Sequence, residues 1–249
     1  MSRKVDEATR IQRDYYRATA TQYDAMHADE GGDDYRSIRI VSLLINMLRA
    51  GTVLDVGAGT GVGVSHLMEA LPHAYVCGIE PVAALVENGV RRDEALKRAI
   101  VRGAGESLPF ADRSFDAVCS FALLHHVSKP ETVIREMLRV ASKAVIIVDS
   151  NRFGQGSKPA RWLKLILYKM GLWPFVNYLK TAGKGYLITP GDGLAYSYSV
   201  YDSLDCLAPW AGQLITIPSE PCKATSWLHP LLTARGVILC AAKDPVSPR

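Results

Sequence analysis

Between Gly51 and Val148, short apolar runs alternate with segments whose apolar residues recur at helical spacing. Thr52–Val56 (TVLDV), Ala74–Ile79 (AYVCGI), Ile100–Val101, Phe115–Phe121 (FDAVCSF) and Lys143–Val148 (KAVIIV) read as strands. A glycine loop after the first strand leads into a helix through about Leu71, and 81–95 and Pro130–Val140 read as further helices. Strand runs that are apolar throughout, and rich in β-branched residues, belong to a parallel sheet covered on both faces. Two later runs, GQLITI and GVILCAAK within 213–243, add strands, with a helical or turn segment (TSWLHPLLTA) between them. The expected fold is α/β: one domain over 1–249, doubly wound around a mostly parallel seven-stranded sheet.

Two regions fall outside that rhythm. Residues 1–49 read as an N-terminal helical lid: a charged helix over 5–23 carrying Tyr15, Tyr16 and Tyr23, an exposed loop at 29–34 (DEGGDD), and an apolar stripe through Ile38, Val41, Leu44, Ile45 and Leu48. Residues 151–200 read as an inserted helical cap, built on RWLKLILYKM and LWPFVNYL.

Composition narrows the partners. The formal charge of +4, from 29 basic and 25 acidic residues in 249, is too small an excess to argue for nucleic acid. Its distribution is uneven, with seven Lys or Arg and no acid from Asn151 to Ile188. The five cysteines are odd in number and form no CxxC, so they read as reduced thiols in a cytoplasmic protein without a metal site. The charged start carries no secretion signal, and no apolar run reaches the roughly 18 residues of a membrane span. A soluble monomer or homodimer acting on a small molecule is expected.

The sharpest chemistry lies in Val53-Leu54-Asp55-Val56-Gly57-Ala58-Gly59-Thr60-Gly61. Its glycines let a ligand approach backbone N–H groups between a strand and a helix N-terminus. Glu80 follows nineteen residues after Gly61, at the end of the second strand, where a ribose-binding carboxylate belongs. A dinucleotide fingerprint, GxGxxG, would need a small residue at position 62, which is Val62. Asp55 would also repel a pyrophosphate, whereas it suits a ligand bearing a cationic amine. A GxxxxGK[ST] phosphate loop is absent.

The residues VLDVGAGTGVG, the acid of GIEP, the run GAGESLPFADRSFDAVCSFALLHHV and the helix PETVIREMLRV together resemble the class I S-adenosylmethionine-dependent methyltransferase family over about residues 50–148. The similarity is greatest to its ubiquinone/menaquinone-type and small-molecule branch. The resemblance implies that Asp55, Gly57, Ala58, Gly59 and Gly61 surround the methionine part of S-adenosyl-L-methionine, and that Glu80 holds the ribose. It puts Pro81 or Val82 beside adenine, Gly105 and Glu106 around the adenine edge, Phe121 near the sulfonium, and Tyr23, ahead of Asp24, close to the donor. Two departures stand out: Ala104 where the family usually has aspartate, and Ala141-Ser142 where it has a glycine pair.

The implied reaction is in-line transfer of the methyl group to an O or N atom of a small, partly aromatic or apolar metabolite, leaving S-adenosyl-L-homocysteine. Positioning and desolvation supply much of the rate in such a reaction, so no catalytic triad is required. His126, or its neighbour His125, is the candidate general base. Asp149, directly after KAVIIV, is a further strand-end polar group, and His229 reads as structural. The aromatic residues of the cap, from Trp162 to Tyr178, either wall an acceptor pocket or seal the cap against the sheet or a second subunit. Three other readings stay open: carbon methylation, a non-catalytic adenosyl-ligand-binding partner protein, and a nicotinamide-dependent reductase.

Overall fold

The computed structural model describes residues 7–26, 33–189, 191–223 and 227–244. Most of the loop expected over 29–34 therefore lies outside the described residues, as do the first residues of the N-terminal helix and of TSWLHPLLTA.

Three helices precede the sheet: α1 (Glu7–Thr19), the single turn α2 (Tyr23–Met26) and α3 (Asp33–Met47). The strand–helix alternation then follows as β1 (Thr52–Val56), α4 (Val62–Ala70), β2 (Tyr75–Glu80), α5 (Ala83–Arg92), the short α6 (Leu96–Ala99), β3 (Ile100–Arg102), β4 (Phe115–Phe121), α7 (Pro130–Val140) and β5 (Ala141–Ser150). Helix α7 runs straight into β5, so Ala141-Ser142 belong to the strand and leave no turn for a glycine pair to make.

The cap is only half helical. Helices α8 (Lys158–Lys169) and α9 (Trp173–Lys180) lead into a hairpin of β6 (Tyr186–Thr189) and β7 (Gly193–Tyr196). Neither helix has a fully buried residue. Buried Arg152 anchors them: its guanidinium pairs with Asp202 and lies 5.4 Å from the Tyr168 ring and 5.3 Å from the Trp173 ring. The one-turn α10 (Leu204–Leu207) then leads to β8 (Gln213–Pro218) and β9 (Gly236–Ala242), joined through turns over 227–233.

The main sheet has seven strands in the order β3-β2-β1-β4-β5-β9-β8. Its first five strands are parallel, while β9 pairs antiparallel with both β5 and β8. Side chains of each central strand alternate between two cores. On β5, Ala144, Ile146 and Val148 enter one, and Val145 and Ile147 enter the other. The first core is closed by α3, α4 and α6, the second by α7 and α10. Cys77, Cys119 and Cys240 are buried, and all five thiols are free. The chain reverses sheet direction on either side of β1, and a crevice opens at the carboxyl ends of β1, β2 and β4.

Candidate functional site

Gly57, Gly59 and Gly61 adopt φ of +81°, +56° and +79°, the left-handed region that side chains rarely enter. The Gly57 and Ala58 amides donate to the Ile79 carbonyl at 2.9 and 3.1 Å, clipping the loop to β2. A Cβ on Gly57 would stand 2.8 Å from Leu123, and one on Gly59 3.3 Å from the Tyr23 hydroxyl. The loop is therefore pressed between the turn after β4 and the N-terminal helices. Helix α2 is clasped onto it, since Asp24 pairs with Arg92 and accepts a 2.5 Å hydrogen bond from Thr60 Oγ1.

Above the loop lies a cleft of about 800 Å³, including its open mouth. Of the residues singled out from the sequence, Tyr16, Tyr23, Gly57, Gly59, Glu80, Pro81, Val82, Gly105, Glu106, Phe121 and His126 line it. Asp55, Ala58, Gly61 and His125 are not on its wall. The described cap residues are absent from the wall too: the aromatic side chains of α8 and α9 build no part of this cleft. Its outer side is formed by Thr9, Gln12, Arg13 and Tyr16 of α1, and its apolar surface by Leu85, Leu123, Val127 and Val133.

Two carboxyls stand beside each other at the strand ends. Glu80 Oε2 accepts from the Gly59 amide at 3.1 Å and Oε1 from the Val82 amide at 2.8 Å. Burial raises its pKa, against the pull of those amides and of Arg13 and Arg102. Asp55 is 2% exposed, and its Oδ1 has no hydrogen-bond partner. Burial, and then the Glu80 charge, push its carboxyl up to about 7. A buried polar atom left unpaired is costly, so such a group is poised for a donor or a positive charge.

The two histidines, on the short 3-10 turn Leu124–His126, have separate surroundings. His126 Nδ1 lies 2.7 Å from the Leu194 carbonyl, which can only accept, so Nδ1 carries a hydrogen. In the neutral ring Nε2 is then the acceptor, 2.9 Å from the Tyr16 hydroxyl. Gln12 holds this corner from α1: its amide nitrogen donates to the Asp192 carbonyl at 3.2 Å and its Oε1 accepts from the Leu194 amide at 2.5 Å. Tyr16 is raised well above the ordinary phenol range by burial, then by the charges of Tyr23 and Asp192, so it keeps its proton.

His125 sits beneath. Its Nδ1 lies 2.8 Å from Oδ1 of fully buried Asp149, and its Nε2 3.5 Å from Asp192. Burial alone would lower its pKa, but the Asp149 charge and hydrogen bond, with Asp192, raise it to about 10. Asp149 is held below the usual carboxylate range despite burial, by His125 and by the Ser150 and Leu124 amides. His125 is thus an imidazolium near neutrality, with no lone pair to offer a substrate. His125, His126 and Asp192 bring three metal-type donor atoms within 4.8 Å of one another; Asp192 pairs here with the His125 imidazolium, and its other oxygen, 3.3 Å from His126 Nε2, can pair with that ring once it is protonated. His229 lies apart, 2.5 Å from Thr233 Oγ1.

Gln12 and Asp192 are the site residues that the sequence reading missed. Gln12 stands four residues before Tyr16, on the same helix face. Asp192 is the first acid after a stretch without any, in the turn of a hairpin.

The profile of a methyltransferase domain family matches residues 54–148. An uncharacterized methyltransferase of Mycolicibacterium gilvum is 30% identical over 181 residues, 67% of this chain and 70% of that protein. A demethylmenaquinone methyltransferase of a Roseiflexus species is 33% identical over 91 residues, 36% of this chain and 38% of that protein. Among solved structures, magnesium protoporphyrin IX methyltransferase from Synechocystis, with bound SAM, superposes with a TM-score of 0.60 at 14% identity, covering 98% of this chain and all of that one.

Proposed function

The chain belongs to the class I S-adenosylmethionine-dependent methyltransferase family, and from that premise we propose that it methylates an O or N atom of a small, partly aromatic or apolar molecule, with His126 receiving the proton the acceptor loses. The observation that carries this reading is the Tyr16–His126 pair on the cleft wall, 2.9 Å apart, with the far ring nitrogen locked to a carbonyl.

The residues present fit the donor. Glu80 presents a carboxyl at the tip of β2, its oxygens fixed by two amides and suited to a vicinal diol. The unpaired Asp55 oxygen lies directly behind the glycine loop, where an α-ammonium group would restore its charge. Tyr23 packs over Gly59, and Phe121, Gly105, Glu106 and Pro81 complete the wall. When bound, S-adenosylmethionine supplies a methyl group made electrophilic by its sulfonium. Around it the chain itself excludes water and orients. Helix α1 closes the outer side with Gln12, Arg13 and Tyr16. The Tyr16 hydroxyl, protonated and donating to His126 Nε2, can accept the acceptor's hydrogen as it passes its own to the imidazole. His125 is a positioning residue: pinned by Asp149, it holds Asp192 where that carboxylate can pair with His126 once the ring has taken the proton.

The test is a methyl-transfer screen of the protein against metabolite extracts with labelled donor, the product identified by mass and fragmentation. A methyl group on O or N supports the assignment, and one on carbon overturns it. With that acceptor, His126→Ala should lower kcat by about 10²- to 10⁴-fold, the usual contribution of a general base, while donor affinity is retained. Full turnover in that variant removes His126 from the chemistry.

A further inference from the structure

The cap leaves a surface that the cleft does not use. Ten of the seventeen exposed large apolar side chains among the described residues fall between Trp162 and Ile188. They include Ile166, 51% exposed, and Phe175, 63% exposed, with Trp162, Met170, Tyr178 and Leu179 around them. Isolated exposed apolar residues are ordinary, whereas a contiguous run of them marks an interaction surface.

The charge of the same segment is one-sided. Of its seven basic residues, Lys158, Lys169, Lys180 and Lys184 are exposed, and no acid occurs from Asn151 to Ile188. The remainder of the chain carries 22 basic against 25 acidic residues, so the positive excess of the whole protein resides here. On α8, Lys158 and Lys169 stand about three turns apart on one edge of the exposed face. Trp162, Ile166 and Met170 follow one another along its middle at four-residue spacing.

We infer that the exposed face of α8, α9 and β6 docks on an anionic phospholipid bilayer, lying in its interface. An amphipathic element with aromatic and aliphatic side chains on its outer face, rimmed by lysines, inserts its apolar groups at the level of the acyl boundary while the ammonium groups meet lipid phosphates. Trp162 and Tyr178 are the residue types that settle at that boundary. The helices lie along the membrane and do not cross it: α8 has 12 residues, α9 has 8, and no described helix is long and apolar enough to span. A second copy of this chain fits the face less well, because a two-fold interface would set the lysine-rich patch against itself. The same cap carries Asp192 and Leu194 to His126, whose ring lines the cleft, so the docked face is joined through the β6–β7 hairpin to the site where an acceptor drawn from the bilayer would arrive. Docking itself does not depend on the methyl-transfer reading.

The experiment is co-sedimentation of the full chain with phosphatidylcholine vesicles, with and without phosphatidylglycerol. Binding to the anionic vesicles, weak binding to the neutral ones, and weakening by salt are expected. The double variant Ile166→Glu, Phe175→Glu should lose at least about tenfold in vesicle affinity, while its melting temperature and S-adenosylmethionine affinity stay at the parent values. Lys158→Glu with Lys169→Glu should remove the preference for phosphatidylglycerol. Failure to bind anionic vesicles, or equal binding to both kinds, overturns the inference. So does a dimer in light scattering that the Ile166→Glu, Phe175→Glu variant splits into monomers, since a second copy would then own the face.

Discussion

A carboxyl sealed under a glycine loop, as Asp55 is, keeps its proton until a positive charge arrives. Its folded pKa of about 7 stands above the roughly 3.9 of an unfolded aspartate. The stability this group contributes is therefore fully present below about pH 4 and lost as pH rises through about 7. Asp55→Asn has no charge to bury, so in the ligand-free protein it should raise the melting temperature relative to the parent at about pH 8, by an amount that shrinks as pH falls and is small only below about pH 4. Donor binding should run the other way. It should strengthen in the parent as pH rises through about 7, and be weak and pH-independent in the variant. A uniform offset of both readouts across pH would leave Asp55 a packing residue only. Glu80, with both oxygens tied to amides at the cleft, has a simpler expectation. Glu80→Ala should weaken S-adenosylmethionine binding by about 1–3 kcal/mol in calorimetry, the range for losing charge-assisted hydrogen bonds. An unchanged dissociation constant would remove it from the ribose.

At the scale of elements, Asp149 ties the end of β5 to the turn after β4 through the Leu124 amide and the His125 ring. Asp149→Asn should cost about 3–5 kcal/mol in urea unfolding near neutrality, because it strands a buried imidazolium. His125 is raised above its unfolded value and Asp149 is lowered below its own, so the pair's contribution is complete between about pH 4 and 6.5 and fades as pH climbs toward about 10. The variant should lack that slope, and a parallel pH profile would refute the pairing. The strands were legible because a central parallel strand, apolar on both faces, leaves a continuous run such as KAVIIV. The hairpin of β6 and β7 was not read, although Gly191-Asp192-Gly193 between two apolar runs carries a turn signal, with φ of +91° and +73° at its glycines. Four-residue strands flanked by glycine give too little periodicity to separate from a loop. The glycine loop and Glu80 were readable because one strand–turn–helix unit positions them. His125 and His126 are neighbours in sequence, but only the tertiary partners show that one is locked as a cation and the other faces the cleft.

At the scale of the molecule, the cleft is assembled from parts that sequence order cannot place together. Gln12 and Leu194 are 182 positions apart and hydrogen-bonded. The β1 loop and the turn after β4 meet because the sheet sets their ends side by side, while helix α1 closes over them and is tied through Gln12 to the β6–β7 hairpin. A site shared among separate elements should respond as one unit when its ligand binds. At a donor concentration one hundred times the dissociation constant, the folded state should gain about 2.7 kcal/mol, read as a rise in melting temperature. Hydrogen exchange should slow at the same time in α1 around Gln12–Tyr16, in the glycine loop and at 193–195 of the hairpin, although only the loop is expected to touch the methionine part. The link runs through Tyr16, His126 and Leu194, so His126→Ala should uncouple the hairpin: protection at 193–195 should be lost while that of the glycine loop is kept. Protection confined to the glycine loop in the parent protein would mean that lid and hairpin close the cleft independently of the donor.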